Sequence, residues 1–230
     1  KENKNFALDH GPYRLKNLSV RSFKAYVDGA LGSSGALLKD EYEDKPNYKG
    51  LCLLSSDELK ELGDFCLDVG YQLNSHGIGD SAISIILDMC ANVYRKKPDH
   101  RFRVEHAQIV DLNEVHKFAD YAVFPSVQPT HATTDQRWVV SKIGLKRLKG
   151  AYAYKTLKNQ LGMIALGTDF PVEYVNPFYT IHAAVHRKNN QGVPDGGFLK
   201  DEALTLDETI RGMTFWAAFA AFEEGSHGSL

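Results

Sequence analysis

The stretch YQLNSHGIGDSAISIILDMCANVY, residues 71–94, decides the fold class. Its first part, YQLNSH (71–76), predicts a short strand. A helix is predicted from Asp80 to Tyr94, because apolar residues recur there at helical spacing. The residues expected to face inward from that helix are Ile83, Ile86, Leu87 and Cys90. A strand that runs directly into an amphipathic helix is the repeating unit of α/β proteins.

The alternation of strand and helix continues on both sides of this stretch. Four more strands are predicted, at Ser22 to Asp28, Arg101 to His106, Tyr121 to Val127 and Gly162 to Thr168. Helices are expected over Ser141 to Asn159, over Pro177 to Lys188, and after three capping boxes: Ser55 with Glu58, Asp111 with Glu114, and Thr205 with Glu208. Five strands interleaved with helices predict a parallel sheet of βα units, either doubly wound or part of a barrel.

The composition excludes several classes of protein. The 230 residues are 43% hydrophobic and 24% charged, with a formal net charge of −2, which argues against a nucleic-acid binder because such a protein needs a basic surface. No run approaches the roughly 18 apolar residues of a transmembrane helix. The three cysteines, Cys52, Cys66 and Cys90, are widely spaced, so we expect core residues rather than a disulfide framework or a cysteine-built zinc site.

Polar residues lie where the predicted strands end. His76 and His106 end two successive strands, and Asp169 follows the last one. In a barrel of βα units, such side chains meet above the core at the carboxyl ends of the strands. Two histidines and a carboxylate suit a divalent metal, although a structural role remains the alternative for each histidine. The doubly wound alternative would need a phosphate-binding turn, which DGALGSSG (28–35) resembles only weakly.

Lys24 lies inside the first predicted strand of the sheet, with the same strand parity as Asp28. A charged lysine is costly in a buried strand, because burial disfavours the ammonium form. Two interpretations follow. The side chain lies at a sheet edge or extends to solvent, or CO₂ carboxylates it and makes it an anionic oxygen ligand that can bridge two metal ions.

Six segments in order resemble successive blocks of the metal-dependent amidohydrolase superfamily: FKAYVDGALGSSGA, HGIGDSA, RVEHAQI, SVQPTHATTD, ALGTDFPVE and GMTFWAAFAAFEE. The resemblance is to amidohydrolase family 3, the YtcJ-like group that includes N-substituted formamide deformylases, and it covers nearly the whole chain. It implies a distorted, TIM-like (β/α)₈ barrel of which residues 1–230 form a single, incomplete domain, strands four to eight with their helices.

The resemblance also implies roles for particular residues. His76, His106, Asp169 and Lys24 match the ligands of one or two divalent ions, with zinc expected, and Lys24 is the candidate for carboxylation. Asp169 would also take a proton from the metal-activated water. The expected substrate-facing residues are Gln128, His131 and Asp28, with His131 near the developing oxyanion.

One departure from the family pattern bears on activity. The family's first-strand H-x-H metal pair has no counterpart in this sequence, and the histidines of HAAVH (182–186) are expected to pack or face solvent. We therefore expect this chain to be the second part of a longer enzyme, inactive alone and partnered by the amino-terminal remainder of the barrel. A homodimer stays open.

The expected activity is hydrolysis of an amide or related C–N bond of a small molecule. A second hypothesis is a non-catalytic barrel fragment that binds a small molecule or a partner, because fold alone does not determine function. A phosphotriesterase-like hydrolase would share the ligands, but SVQPTH and ALGTDFPVE fit that branch less well.

Overall fold

The chain opens with a helix and a small hairpin that the sequence patterns did not predict. In the computed structural model, which describes residues 2–229, these elements are α1 (Glu2–His10), β1 (Tyr13–Leu15) and β2 (Leu18–Val20), with the two strands antiparallel. The hydroxyl of Tyr71 donates a hydrogen bond of 2.8 Å to the carbonyl of Gly11. This bond ties the opening segment to the main sheet.

All five predicted strands form one parallel sheet. They are β3 (Ser22–Tyr26), β4 (Gln72–Gly77), β5 (Arg103–His106), β6 (Phe124–Val127) and β7 (Ala165–Leu166). Their order in the sheet, β3-β4-β5-β6-β7, follows the chain without a reversal. A doubly wound sheet reverses its strand order at a switch point, so this consecutive order fits successive strands of a barrel. The prediction of a parallel sheet within a partial barrel is confirmed.

Helices connect and cover these strands. They are α2 (Ser56–Asp68), α3 (Asp80–Lys96), α4 (Lys117–Asp120), α5 (Pro129–Asp135), α6 (Val139–Arg147), α7 (Tyr154–Leu161), α8 (Pro177–His186), α9 (Leu206–Met213) and α10 (Phe215–Ala220). Short 3₁₀ turns at Leu148–Gly150 and Lys200–Glu202 join some of them. The predicted inward face of α3 is confirmed, because Ile83, Ile86, Leu87 and Cys90 are all buried.

The two faces of the sheet differ in polarity. The register pairs Lys24 with Asn74, and His76 with Glu105, so these side chains share one face. The opposite face carries Leu73 and Val104, which are fully buried in the core. The core therefore packs against the apolar face, and the other face carries polar side chains.

Two of the three predicted capping boxes are confirmed. The Ser55 and Thr205 side chains accept the amide hydrogens of Glu58 and Glu208, and both glutamates bond back to the cap. The third prediction, at Asp111, is wrong: α4 begins six residues later, without a side-chain cap. The carboxylate of Glu114 instead accepts hydrogen bonds from Lys39, Ser84 and Lys117.

The last strand is shorter than predicted. Gly162 ends α7 in the left-handed conformation, with φ of +80°, so it belongs to a helix cap. Strand pairing is confined to Ala165–Leu166, which pair with Ser126 and Val127 of β6. Within residues 2–229, no helix combines the length and apolar character that a membrane crossing requires. Cys66 and Cys90 are buried core residues as expected, whereas Cys52 is exposed.

The loop after β3 crosses closely over the turn after β4. The carbonyl of Leu37 accepts hydrogen bonds from the amides of Ser81 and Ala82 at the start of α3. A Cβ placed on Gly79 would lie 2.0 Å from that carbonyl oxygen, far inside van der Waals contact. Glycine is therefore required here by the close approach of two backbones.

We predict that Gly79→Ala lowers the free energy of unfolding by about 1–3 kcal/mol, because the added methyl group forces the two backbones apart. Gly196→Ala is the matched control, since a Cβ at Gly196 meets nothing within 4 Å. Urea unfolding followed by circular dichroism measures both variants. Equal midpoints for the two variants would contradict the close approach.

Candidate metal centre

A cavity of about 490 Å³ lies at the carboxyl end of the parallel sheet. It is lined by residues from the ends of β3, β4 and β5 and from the loops that follow β6 and β7. The polar and aromatic residues of its wall are Lys24, Tyr26, His76, His106, Gln108, His131, Asp135, Trp138, Asp169 and Glu173. Four residues that sequence reasoning assigned to a metal, His76, His106, Asp169 and Lys24, thus line one cavity.

His76 is held in place at the end of β4 and is 8% exposed. Its Nε2 has no hydrogen-bond partner among residues 2–229, and Asp28 Oδ1 lies 3.5 Å away. Burial, with the nearby His106 and Lys24, lowers the pKa of His76 to about 3. The imidazole is therefore neutral at physiological pH, which is the form that binds a metal ion.

His106 reaches the same side of the sheet through an unusual backbone conformation. Strand alternation would place it on the face opposite to His76, because the register pairs His76 with Glu105. Its φ of +78° departs from that alternation, and the His106 ring centroid lies 4.5 Å from that of His76. Left-handed backbone in a histidine stores strain, which occurs preferentially at functional sites.

Gln128 bonds to His106 rather than facing the cavity. The Gln128 side-chain oxygen lies 2.9 Å from His106 Nδ1, and the residue is 6% exposed. The side-chain oxygen of Gln128 is engaged by the histidine, and the substrate contact expected of Gln128 stays a prediction. Burial lowers the pKa of His106, whereas the bond to Gln128 acts in the opposite direction.

His131, in the first turn of α5, presents its ring to the cavity beside His106, with ring centroids 6.0 Å apart. Its Nδ1 lies 3.3 Å from the side-chain nitrogen of Gln108. Its Nε2 is buried and has no hydrogen-bond partner within the described part of the chain. Burial and the neighbouring His106 lower the pKa of His131 to about 4, so this ring is also neutral.

Asp28 lies beneath the cavity rather than on its wall. It is fully buried, and its carboxylate accepts hydrogen bonds from the amides of Leu37, Ile78 and Gly79 at 2.9, 3.1 and 2.8 Å. Burial raises the pKa of Asp28 to about 7, although the three amide bonds act in the opposite direction. Asp28 shapes the site by joining two loops, and the substrate contact expected of it stays a prediction.

Lys24 and Asp169 lie at opposite edges of the sheet, and both side chains are exposed. Lys24 is on β3, with Nζ 5.4 Å from the centre of the Tyr26 ring, so it lies at a sheet edge among the described strands, and its carboxylation stays a prediction. Partial burial of the Lys24 side chain lowers its pKa, although the nearby carboxylates of Glu105 and Asp169 act in the opposite direction. Asp169 follows β7 with φ of +56°, again in the left-handed region.

The types of side chain in this cavity suit a divalent metal ion, but too few of those described lie close enough together to bind one. His76 Nε2 is buried and has no hydrogen-bond partner among residues 2–229, as expected of a nitrogen that binds a metal ion. Across the described residues, however, no three His, Cys, Asp or Glu side chains are already gathered closely enough to hold an ion. A protein zinc site takes at least three protein ligands, so the histidine pair needs one more.

Sequence reasoning missed several residues of the wall, among them Gln108, Asp135 and Glu173. Gln108 follows His106 by two positions in RVEHAQI, and its polar side chain beside a predicted ligand was the signal available. Asp135 and Glu173 also line the cavity, as does Trp138. Burial raises the pKa of both carboxyl groups, that of Asp135 to about 6. His182 and His186 lie on α8, outside the residues that line the cavity.

Known proteins resemble this chain over nearly its whole length. Protein LONG AFTER FAR-RED 3 of Arabidopsis thaliana is 36% identical over 229 residues, which are 97% of this chain and 38% of that protein. The amidohydrolase-like protein YtcJ of Bacillus subtilis is 31% identical over 96% of this chain and 41% of its own length. N-substituted formamide deformylase of Arthrobacter pascens is 25% identical over 91% of this chain and 38% of its own length.

A solved structure gives the same result in three dimensions. The crystal structure of an uncharacterised metal-dependent hydrolase from Pyrococcus furiosus superimposes with a TM-score of 0.85 and 28% identity, covering 99% of this chain and 45% of that one. The chain thus spans less than half the length of these relatives. The sequence profile of the amidohydrolase family matches residues 3–230. The chain belongs to the amidohydrolase family, and its fold is that of the metal-dependent hydrolases.

Proposed function

We propose that this chain forms part of a metal-dependent hydrolase that cleaves an amide or related C–N bond of a small molecule. The observation that carries the proposal is the pair of buried imidazoles, His76 and His106, with ring centroids 4.5 Å apart on the wall of one cavity. Burial lowers the pKa of both imidazoles, and the cavity lies where βα barrels have their active sites.

The relatives support assignment to the hydrolases, and the name of one relative supports an amide as the bond that is cleaved. The deformylase of Arthrobacter pascens is named for N-substituted formamides, which are small amides. We therefore infer an amide, or a compound with a similar C–N bond, as the substrate class. Imidazole and carboxylate donors suit zinc, which we propose as the metal, in one or two ions.

Four residues of the cavity have roles in the proposed reaction. A divalent metal, when bound, lowers the pKa of a water molecule and polarises a carbonyl group. His76 and His106 bind the metal, and Asp169 is a further ligand. Asp169 also accepts a proton from the attacking water and returns it to the leaving amine. His131 lies beside the pair and stabilises negative charge on the carbonyl oxygen.

Lys24 is proposed as the additional anionic ligand. The lowered pKa of Lys24 increases the share of neutral amine, which is the form that attacks CO₂. Its nitrogen forms a bond to carbon and loses a proton, which leaves a carbamate anion with two oxygen donors. This carbamate would supply an additional ligand, beside Asp169, to a centre for which no three candidate side chains are already gathered among the described residues.

The second candidate function is binding without catalysis, of a small molecule or of a polypeptide partner. It is favoured by the incomplete donor set among the described residues. Under the first proposal, a polypeptide equivalent to the rest of the barrel is the partner that completes the site. Assay of the intact gene product with zinc against a panel of N-formyl amines and secondary amides separates the candidates. Turnover supports the hydrolase, whereas saturable binding without turnover supports the binding module.

We predict that His76→Ala and His106→Ala each remove at least one equivalent of metal from the intact gene product, because each deletes a ligand nitrogen. Elemental mass spectrometry of the purified variants gives the metal content. His116→Ala is the matched control, since His116 is exposed and lies away from the cavity. Unchanged metal content in either cavity variant would disprove the ligand assignment.

We predict that His131→Ala lowers kcat by about 10²–10³-fold, the range found when an oxyanion donor is removed. Metal content should stay at the wild-type value, because His131 is assigned to the substrate oxygen and not to the metal. Steady-state kinetics on a substrate found in the amide panel, with metal analysis of the same preparation, measure both. Loss of metal in this variant would make His131 a ligand instead.

A further inference from the structure

We propose that Gln108 is a positioning residue that fixes His131 as a hydrogen-bond donor towards the cavity. Gln128, the same residue type, fixes His106 as an electron-pair donor. The role of this arrangement in catalysis rests on the proposed function. The assignment of the two tautomers does not, because it follows from the contacts of the side chains.

The contact of His131 determines which of its nitrogens carries the proton. The side-chain nitrogen of Gln108 lies 3.3 Å from His131 Nδ1. An amide NH₂ group only donates, so Nδ1 must hold a lone pair. An imidazole with a lone pair on one nitrogen is neutral and carries its single proton on the other nitrogen. That proton is therefore on Nε2.

The proton on Nε2 is directed to a place without a protein partner. His131 is 7% exposed and lines the cavity, and its Nε2 bonds to nothing in residues 2–229. Leaving a buried N–H without an acceptor costs about 1–3 kcal/mol. An acceptor atom of a ligand would remove this cost. A carbonyl oxygen that gains negative charge during hydrolysis is such an acceptor.

In the contact of His106, the glutamine accepts the hydrogen bond and the histidine donates it. Its Nδ1 lies 2.9 Å from the side-chain oxygen of Gln128, an atom that only accepts. Nδ1 therefore carries the proton, and Nε2 keeps the lone pair that a metal ion requires. A second group that bonds the remote nitrogen of a metal-binding histidine is the common way to set its tautomer.

Neighbouring tyrosines hold both glutamines in place. The amide of Tyr152 donates a hydrogen bond of 2.6 Å to the carbonyl of Gln108. The hydroxyl of Tyr154 donates a hydrogen bond of 3.0 Å to the carbonyl of Gln128. Both tyrosines are fully buried, so one short segment anchors the two residues that orient the histidines. This shared anchor fixes the backbone positions from which the two glutamine side chains reach the histidines.

An identical substitution at the two positions gives opposite expectations. In Gln108→Glu, the donor becomes an acceptor, so a neutral His131 must move its proton to Nδ1 and lose its donor towards the cavity. In Gln128→Glu, the acceptor stays an acceptor, so His106 keeps its proton on Nδ1. Gln160→Glu on α7 is the control for an added negative charge, because Gln160 touches neither histidine and does not line the cavity.

The test uses ¹⁵N-histidine-labelled, metal-free intact gene product at about pH 8, where the rings are neutral. Long-range proton–nitrogen correlation spectra distinguish the two tautomers. We expect the wild type to show His131 with its proton on Nε2 and His106 with its proton on Nδ1. Only Gln108→Glu should move a proton, and only in His131. A wild-type His131 with its proton on Nδ1, or no change in Gln108→Glu, would overturn the proposal.

A second variant covers the case in which a buried glutamate prevents folding. Gln108→Met has a similar length and no donor, so we expect the His131 Nδ1 resonance to move downfield as its lone pair loses a hydrogen bond. An unmoved resonance would show that Gln108 only fills space. Circular dichroism and the urea midpoint establish that each variant is folded.

Kinetics then connect the tautomer to the reaction. Gln108→Glu should lower kcat by about 10²–10³-fold, as removal of an oxyanion donor does, with less effect on KM and none on metal content. A reversed tautomer with unchanged kcat would overturn the role of His131 as donor. Absence of turnover in the wild type, with the expected tautomers present, would defeat the proposed function and leave the assignment of Gln108 intact.

Discussion

The carboxylate of Asp28 is the interaction on which the site depends. It joins the loop after β3 to the turn after β4 through three backbone amides, and its Oδ1 lies 3.5 Å from His76 Nε2. Without this carboxylate, the buried N–H groups of Ile78 and Gly79 would lack acceptors, at about 1–3 kcal/mol each, and the partly buried N–H of Leu37 would lose its partner. The same loops approach so closely that Gly79 has no room for a side chain. The position of His76 is therefore set by a buried acid that never reaches the cavity.

Burial controls the chemistry of the histidines in the same way. His76 and His131 have lowered pKa values, near 3 and 4, because the charged imidazolium is disfavoured away from water. Neutral rings can bind a cation or donate a hydrogen bond, and which of these they do depends on where the single proton lies. In this cavity, one glutamine oxygen and one glutamine nitrogen decide that, at His106 and at His131. Burial away from water sets the charge of each imidazole, and side-chain hydrogen bonds determine which ring nitrogen carries the proton.

The sequence predicted the strands and the histidines well, because both depend on local patterns. Alternation and capping residues located five parallel strands, and the strand ends placed His76 and His106 in one cavity. Alternation could not show how His106 reaches that cavity, since its φ of +78° breaks the strand pattern. The burial of Asp28 was equally hidden, because its partners are backbone amides far along the chain. The contact between Gln108 and His131 depends on tertiary packing and has no local signature.

The edges of the sheet connect the fold to the chemistry of Lys24. Among the described strands, β3 pairs only with β4, and β7 pairs only with β6. Lys24 and Asp169 lie at these two edges, where backbone groups are open to further pairing. A polypeptide that covers the edge at β3 would take Lys24 further out of water and lower its pKa further. Closing the barrel would then do more than add ligands, because it would also increase the neutral amine that carboxylation requires.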